Sequence, residues 1–216
     1  LNCPHCGAPL SAADVLSSGW AHCKQCDRDV ALSGTVSEFS DDGIIEKIYT
    51  FKTSKDDFHQ LCMEKLMSVA EEDVFAEITN IKSTQNYIWV RQFGSGLNSD
   101  FVPMDSFGDA MFCKMTGGNA FMSYEDFVKR FPFSGMKAFN NDDVGDAEIR
   151  TKQLSASECK HKYMTDPNTN NYRATDYYYC IPFFEETYEY KGKTYHFYGD
   201  GTNGNIWFSW DEIAES

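Results

Sequence analysis

The stretch that decides the fold runs from 177 to 210. It reads Tyr177-Tyr178-Tyr179-Cys180-Ile181, then Thr187-Tyr188-Glu189-Tyr190, the turn Lys191-Gly192-Lys193, Thr194-Tyr195-His196-Phe197-Tyr198, and Asn205-Ile206-Trp207-Phe208-Ser209-Trp210. Aromatic and β-branched residues suit a pleated, half-buried surface, and a short Gly-containing turn between two such runs closes a hairpin. These residues read as an antiparallel meander. Gly199-Asp200-Gly201-Thr202-Asn203-Gly204-Asn205 is oxygen-rich like a calcium loop but lacks the closing acidic ligand of an EF-hand, so it reads as a hairpin turn.

Upstream, helical signals alternate with strands. Ile44 to Phe51 reads as a strand, and Ser54 with Asp57 three residues on opens a helix whose Phe58, Leu61, Cys62, Leu66 and Val69 share one face. Residues 74–81 and 86–93 read as two further strands. The region 94–145 is punctuated by Gly and Asn. Within it Ser123-x-x-Asp126 caps a short helix that Pro132 stops, and Asn140 to Gly145 reads as an exposed loop. Ser155 to Met164 reads as another helix. The expectation is an α+β domain over 44–216, dominated by antiparallel sheet with a few short helices.

The N-terminus is built differently. Cys3-Pro4-His5-Cys6-Gly7 and Trp20-Ala21-His22-Cys23-Lys24-Gln25-Cys26 each carry a Cys-x-x-Cys pair, with sixteen residues between the pairs. The two-residue spacer lets both thiolates of a turn reach one metal ion, and Gly7 tolerates the positive φ such a turn needs. Two such turns make a tetrahedral site. Cys3, Cys6, Cys23 and Cys26 are therefore the expected ligands of one structural Zn(2+) in a zinc ribbon over 1–32. Four ligands close the coordination sphere, so the metal holds the module together and leaves no position for substrate or water. His5 and His22, beside the ligands, read as supporting or solvent-facing residues. The small, polar, acidic run 33–43 reads as a linker.

Charge narrows the partners. There are 19 basic against 33 acidic residues, a net of −14. Nucleic acid is held by Lys and Arg neutralising phosphates, and the basic residues here are scattered: Lys24, Arg28, Lys129, Arg130, Lys160, Lys162. The balance points to protein as partner and away from nucleic acid. No run approaches eighteen apolar residues, so no membrane span is expected. The chain starts at Leu1 without an initiator Met, which leaves room for an upstream segment. Of the eight cysteines, Cys62, Cys113, Cys159 and Cys180 are dispersed among apolar neighbours, the usage of a reducing compartment, here the cytoplasm.

No catalytic residue is assigned. Cys180 with His161 or His196 is the one nucleophile arrangement open, and burial as a small apolar residue is the expected role of that thiol. Glu71-Glu72 and Glu185-Glu186 read as solvated edges. Gly94-Ser95-Gly96 lacks the Lys-Ser/Thr of a phosphate loop.

The two ends resemble a group of bacterial zinc-ribbon proteins of unassigned function. The likeness rests on Cys3-Pro4-His5-Cys6-Gly7, Ile181-Pro182-Phe183, Tyr188-Glu189-Tyr190-Lys191-Gly192-Lys193-Thr194-Tyr195 and Gly201-Thr202-Asn203-Gly204. Some members carry names borrowed from primosomal helicases, but this chain has no ATPase motif. The resemblance implies zinc binding and an α+β body, and supplies no reaction. The function expected is an intracellular protein-interaction or adaptor module. A nucleic-acid-associated ribbon protein comes second and an enzyme with an unrecognised pocket third.

Overall fold

A computed structural model describes residues 2–3, 6–11, 15–16, 20–31 and 45–207. The expected linker at 33–43 and the strand residues Phe208-Ser209-Trp210 lie outside them, as does His5.

The N-terminal residues form a three-stranded antiparallel sheet, β1 (Val15–Leu16), β2 (Trp20–Cys23) and β3 (Arg28–Ala31) in that order. Residues 45–207 build a nine-stranded sheet whose spine is two 17-residue strands, β5 (Thr79–Ser95) and β10 (Ala174–Tyr190). They pair antiparallel from Phe93↔Ala174 to Thr79↔Glu189. The other side of β10 is shared by β4 (Ile45–Ile48), parallel at Tyr177–Cys180, and β11 (Lys193–Asp200), antiparallel from Phe183 to Tyr190. The other side of β5 pairs with β6 (Asn98–Pro103) and, at Asn86 and Tyr87, with β9 (Glu148–Ile149). Three two-residue strands, β7 (Met122–Ser123), β8 (Lys137–Ala138) and β12 (Ile206–Trp207), finish the edges.

The mixture of elements agrees with an α+β reading, but three expected strand boundaries change. The runs 177–181 and 187–190 belong to one strand, β10, and residues 79–81 and 86–93, expected in two strands, both lie in β5. Residues 74–77, expected as strand, lie in a helix. α1 (Lys55–Val69) starts where Ser54 Oγ accepts from Asp57 N, and α2 (Glu72–Glu77) follows almost at once. Glu72 and Asp73 sit in the first turn of α2, where carboxylates complement the helix dipole. Val74 and Phe75 pack on the cluster that α1 also covers, so packing overrides their strand propensity.

Seven consecutive residues of β10, Tyr178 to Phe184, are buried, which requires both faces of the sheet to be covered. Successive residues alternate between cores. Ile88, Val90, Tyr179, Ile181 and Phe183 meet Phe107, Met111, Phe112 of α3 (Ser106–Thr116) and Phe127 of α4 (Tyr124–Arg130). Tyr87, Trp89, Tyr178 and Cys180 meet Cys159 and Tyr163 of α5 (Ala156–Tyr163). Phe184 and Tyr188 meet Phe58, Cys62 and Leu66 of α1. Ring stacking ties helices to sheet, Phe127 on Phe101 at 3.8 Å and Phe58 on Phe184 at 4.4 Å between centroids. Leu61, expected on the inner face of α1, is instead exposed.

The caps follow the sequence. Ser123 accepts from Asp126 N, and Ser155 with Glu158 forms a full capping box. α3 lies in the region 94–145 for which no helix before Ser123 is expected, yet it has both signals: Asp105 accepts from Phe107 N at 2.6 Å and Gly117, at φ +75°, ends it. Gly94 and Ser95 end β5, and Gly96-Leu97 makes the turn to β6. A Cβ on Gly94 would lie 2.1 Å from the Asn98 carbonyl oxygen.

Candidate functional site

The four N-terminal cysteines converge. Their sulfurs all lie within 4.8 Å of one another, with Cys3 Sγ 3.9 Å from Cys26 Sγ and Cys6 Sγ 3.6 Å from Cys23 Sγ. Sulfurs at about 2.3 Å from one tetrahedral ion stand roughly 3.8 Å apart, so this cage fits a metal ion at its centre. The residue after each pair is left-handed, Gly7 at φ +73° and Asp27 at φ +51°, which turns the chain back around the site. Cys3 N donates to Ala8 O and Gly7 N to Cys3 O, closing the first turn. With no cation present, desolvation first, then its cysteine neighbours, push the Cys26 thiol up to about 12. A bound cation reverses that preference and expels the protons. Cys3 and Cys23 are buried, while Cys6 is exposed. His22 Nε2 lies 3.3 Å from Asp27 Oδ1, beside the cage.

Three of the other four thiols are inert by environment. Cys62, Cys159 and Cys180 are wholly buried and Cys113 partly so. Burial pushes Cys159 up to about 12 and raises Cys62 and Cys180 as well. Cys180 sits on β10 between Ile48 and Trp89. His196 is engaged elsewhere, its Nδ1 2.7 Å from Glu185 Oε1, and His161 lies exposed on α5.

Near Cys180 is a buried lysine. Lys152 Nζ is 2.6 Å from Glu46 Oε1 and stands 4.0 Å over the Trp89 ring and 4.7 Å over Tyr178. Burial pulls its pKa down, with Glu46 opposing. The Asp200 carboxylate, fully buried at the end of β11, accepts from Thr202 N at 2.8 Å and pairs with Arg130 at 3.6 Å. Arg130 in turn stacks over Trp207, so it braces a turn and is not part of a solvated basic face.

Glu186 is the largest departure from expectation. It was expected at a solvated edge, but it is fully buried under α1. His59 Nδ1 lies 3.1 Å from both of its oxygens and the Ser83 hydroxyl donates to Oε2. Tandem glutamates are locally indistinguishable from a surface pair. Only their position on a strand covered from both sides could have separated them.

The aromatic meander is mostly core. Tyr178, Tyr179, Phe183, Phe184, Tyr188 and Phe197 are all buried. The Tyr188 and Tyr195 hydroxyls are buried without a hydrogen-bond partner among the described residues. Among the described residues, no helix is long and apolar enough to cross a membrane. No protein-family model, no curated protein and no solved structure matches this chain.

Proposed function

We propose that this chain is a zinc-binding protein in which Cys3, Cys6, Cys23 and Cys26 hold one structural Zn(2+). On this reading it acts as a protein-interaction or adaptor module in the cytoplasm. The sulfur cage carries the metal reading. Four thiolates at tetrahedral spacing suit a borderline-soft ion with no ligand-field preference, and a closed sphere makes its role structural. The ion supplies cross-linking of two turns that are too small to bury a core of their own. Kinship with bacterial zinc-ribbon proteins would accord with that role.

Two observations favour protein over phosphate as partner. The net charge of −14 opposes a polyanion. On β5, Thr79 to Gln85 pair with β10 on one side and with no strand on the other among the described residues, leaving a sheet edge that an extended peptide can join.

Native mass spectrometry of the intact chain tests the metal: one zinc per chain is expected, with none retained by Cys23→Ser. Affinity capture from a native lysate is expected to recover a stoichiometric protein partner. A partnerless monomer, or a gel shift with nucleic acid that persists at moderate salt, overturns the adaptor reading.

A further inference from the structure

The cluster under α1 has features that a purely structural contact does not need. Glu186 lies between Phe184 and Tyr188 on the face of β10 that α1 covers and beside Cys62, an apolar setting in which an ionised carboxylate costs several kcal/mol unless it is paired. Its pairing is unusual. Both oxygens face one imidazole nitrogen, Ser83 adds a donor, and the Cys62 thiol hydrogen-bonds the same group. The His59 side chain is 44 % exposed, so the ring bridges the buried carboxyl group and solvent. A carboxylate can only accept, so with Glu186 in that form Nδ1–H is the donor and Nε2, on the far side of the ring, carries the lone pair.

The neighbourhood selects an electrophile. Met63 lies one helical turn beyond His59, and Met63, Val74, Phe75 and Ile81 border the same cluster as half-buried apolar side chains. Asp56 and Asp57 share the first turn of α1, and the whole chain is strongly acidic, so anionic phosphoryl donors are disfavoured against neutral ones. The unpartnered Tyr188 and Tyr195 hydroxyls, in the same cluster, leave further donors unused.

We propose that His59 is a nucleophilic centre for neutral carboxylic esters with short apolar acyl groups. The Nε2 lone pair adds to the ester carbonyl carbon and the C–O bond to the alcohol breaks, the alcohol leaving with the electron pair and taking a proton from a water molecule, which becomes hydroxide. The acyl-imidazolium so formed keeps its Nδ1–H on Glu186. That hydroxide then adds to the acyl carbon and the C–N bond breaks, its electron pair returning to Nε2 as the carboxylic acid leaves, so that one ester and one water become one acid and one alcohol. His59 is the catalytic residue and Glu186 its positioning residue.

The test uses the metal-loaded full chain with p-nitrophenyl acetate and p-nitrophenyl butyrate. Nitrophenolate release is expected at least about tenfold above an equal concentration of free imidazole, with butyrate the better substrate. His59→Gln, at a half-exposed position, should fold normally and remove the excess rate, while His196→Gln and His161→Gln keep it. Glu186→Leu fills the same space without the acceptor, and should lower the rate by roughly tenfold. In that variant the 15N spectrum should show His59 losing its Nδ1–H tautomer. A wild-type rate no greater than imidazole, or an unchanged rate in His59→Gln, overturns the proposal even if Glu186→Leu does not fold. Loss of the tautomer in Glu186→Leu without loss of rate overturns the positioning role.

Discussion

Glu185 and Glu186, neighbours on β10, project to opposite faces of the sheet, and each holds a histidine from a different element. Glu185 Oε1 meets Nδ1 of His196 on β11 at 2.7 Å, and Glu186 meets Nδ1 of His59 on α1 at 3.1 Å. Strand periodicity makes them opposite in direction. The helix above makes them different in kind: Glu185 keeps some contact with water and Glu186 none.

Among the described residues the N-terminal module has one buried cluster, Cys3, Leu10, Ala21 and Cys23. On the proposed zinc reading the ion makes up for so small a core, so Cys23→Ser should abolish binding, a contribution on the order of 10 kcal/mol in small zinc modules. Amide exchange should then show β1–β3 unprotected while β5 and β10 keep their protection; loss of protection in both would mean the two parts fold together.

Phe101 and Phe127 are both fully buried and stacked. Truncation of either leaves a void between α4 and the sheet. Phe127→Ala should cost about 3–5 kcal/mol in urea unfolding at unchanged m-value. A loss under 1 kcal/mol would show that this core collapses freely.

Gly199 on β11 faces Phe58 of α1, and a Cβ there would lie 2.0 Å from Phe58 Cε2. Gly199→Ala should therefore destabilise by roughly 1–3 kcal/mol through overpacking, since a ring stacked on Phe184 has little room to move. A double variant with Phe58→Leu should recover part of the loss; strict additivity of the two would refute the contact.

Asp200 titrates upward, burial outweighing Thr202 and Arg130. The folded state therefore holds the proton to higher pH than the unfolded chain does. The burial cost is absent below the ordinary value of 3.8 and appears as pH rises through the raised folded pKa. Comparison of urea melts for wild type and Asp200→Asn should show the difference moving in favour of the variant from acid to neutral pH, then levelling. A pH-independent difference would contradict the assignment.

Among residues 45–207, alkylation of the folded protein should reach Cys113 before Cys62, Cys159 or Cys180, which are fully buried with raised thiols. Peptide mapping after iodoacetamide reads this directly. Early labelling of Cys180 would reopen the thiol reading.

The features legible without coordinates were those whose physics is local. Ser54, Ser123 and Ser155 announce helices because a side-chain oxygen meets an N–H three residues on. The two Cys-x-x-Cys pairs announce a metal site because their spacing alone lets two sulfurs share an ion, and the structure gathers all four. Aromatic and β-branched runs marked the meander, down to the turn at Lys191-Gly192.

What only the tertiary structure decided depends on which surfaces meet. Residues 74–77 became helix because Val74 and Phe75 are apolar in either period, and the cluster under α1 chose between them. The strands at 177–181 and 187–190 became one because β5 lies alongside throughout. Glu186 became a buried carboxyl group and His59 its partner because α1 crosses that point of the sheet, a coincidence of residues separated by 127 positions. Cysteine spacing and capping are written in neighbours along the chain, whereas burial is a property of what folds on top.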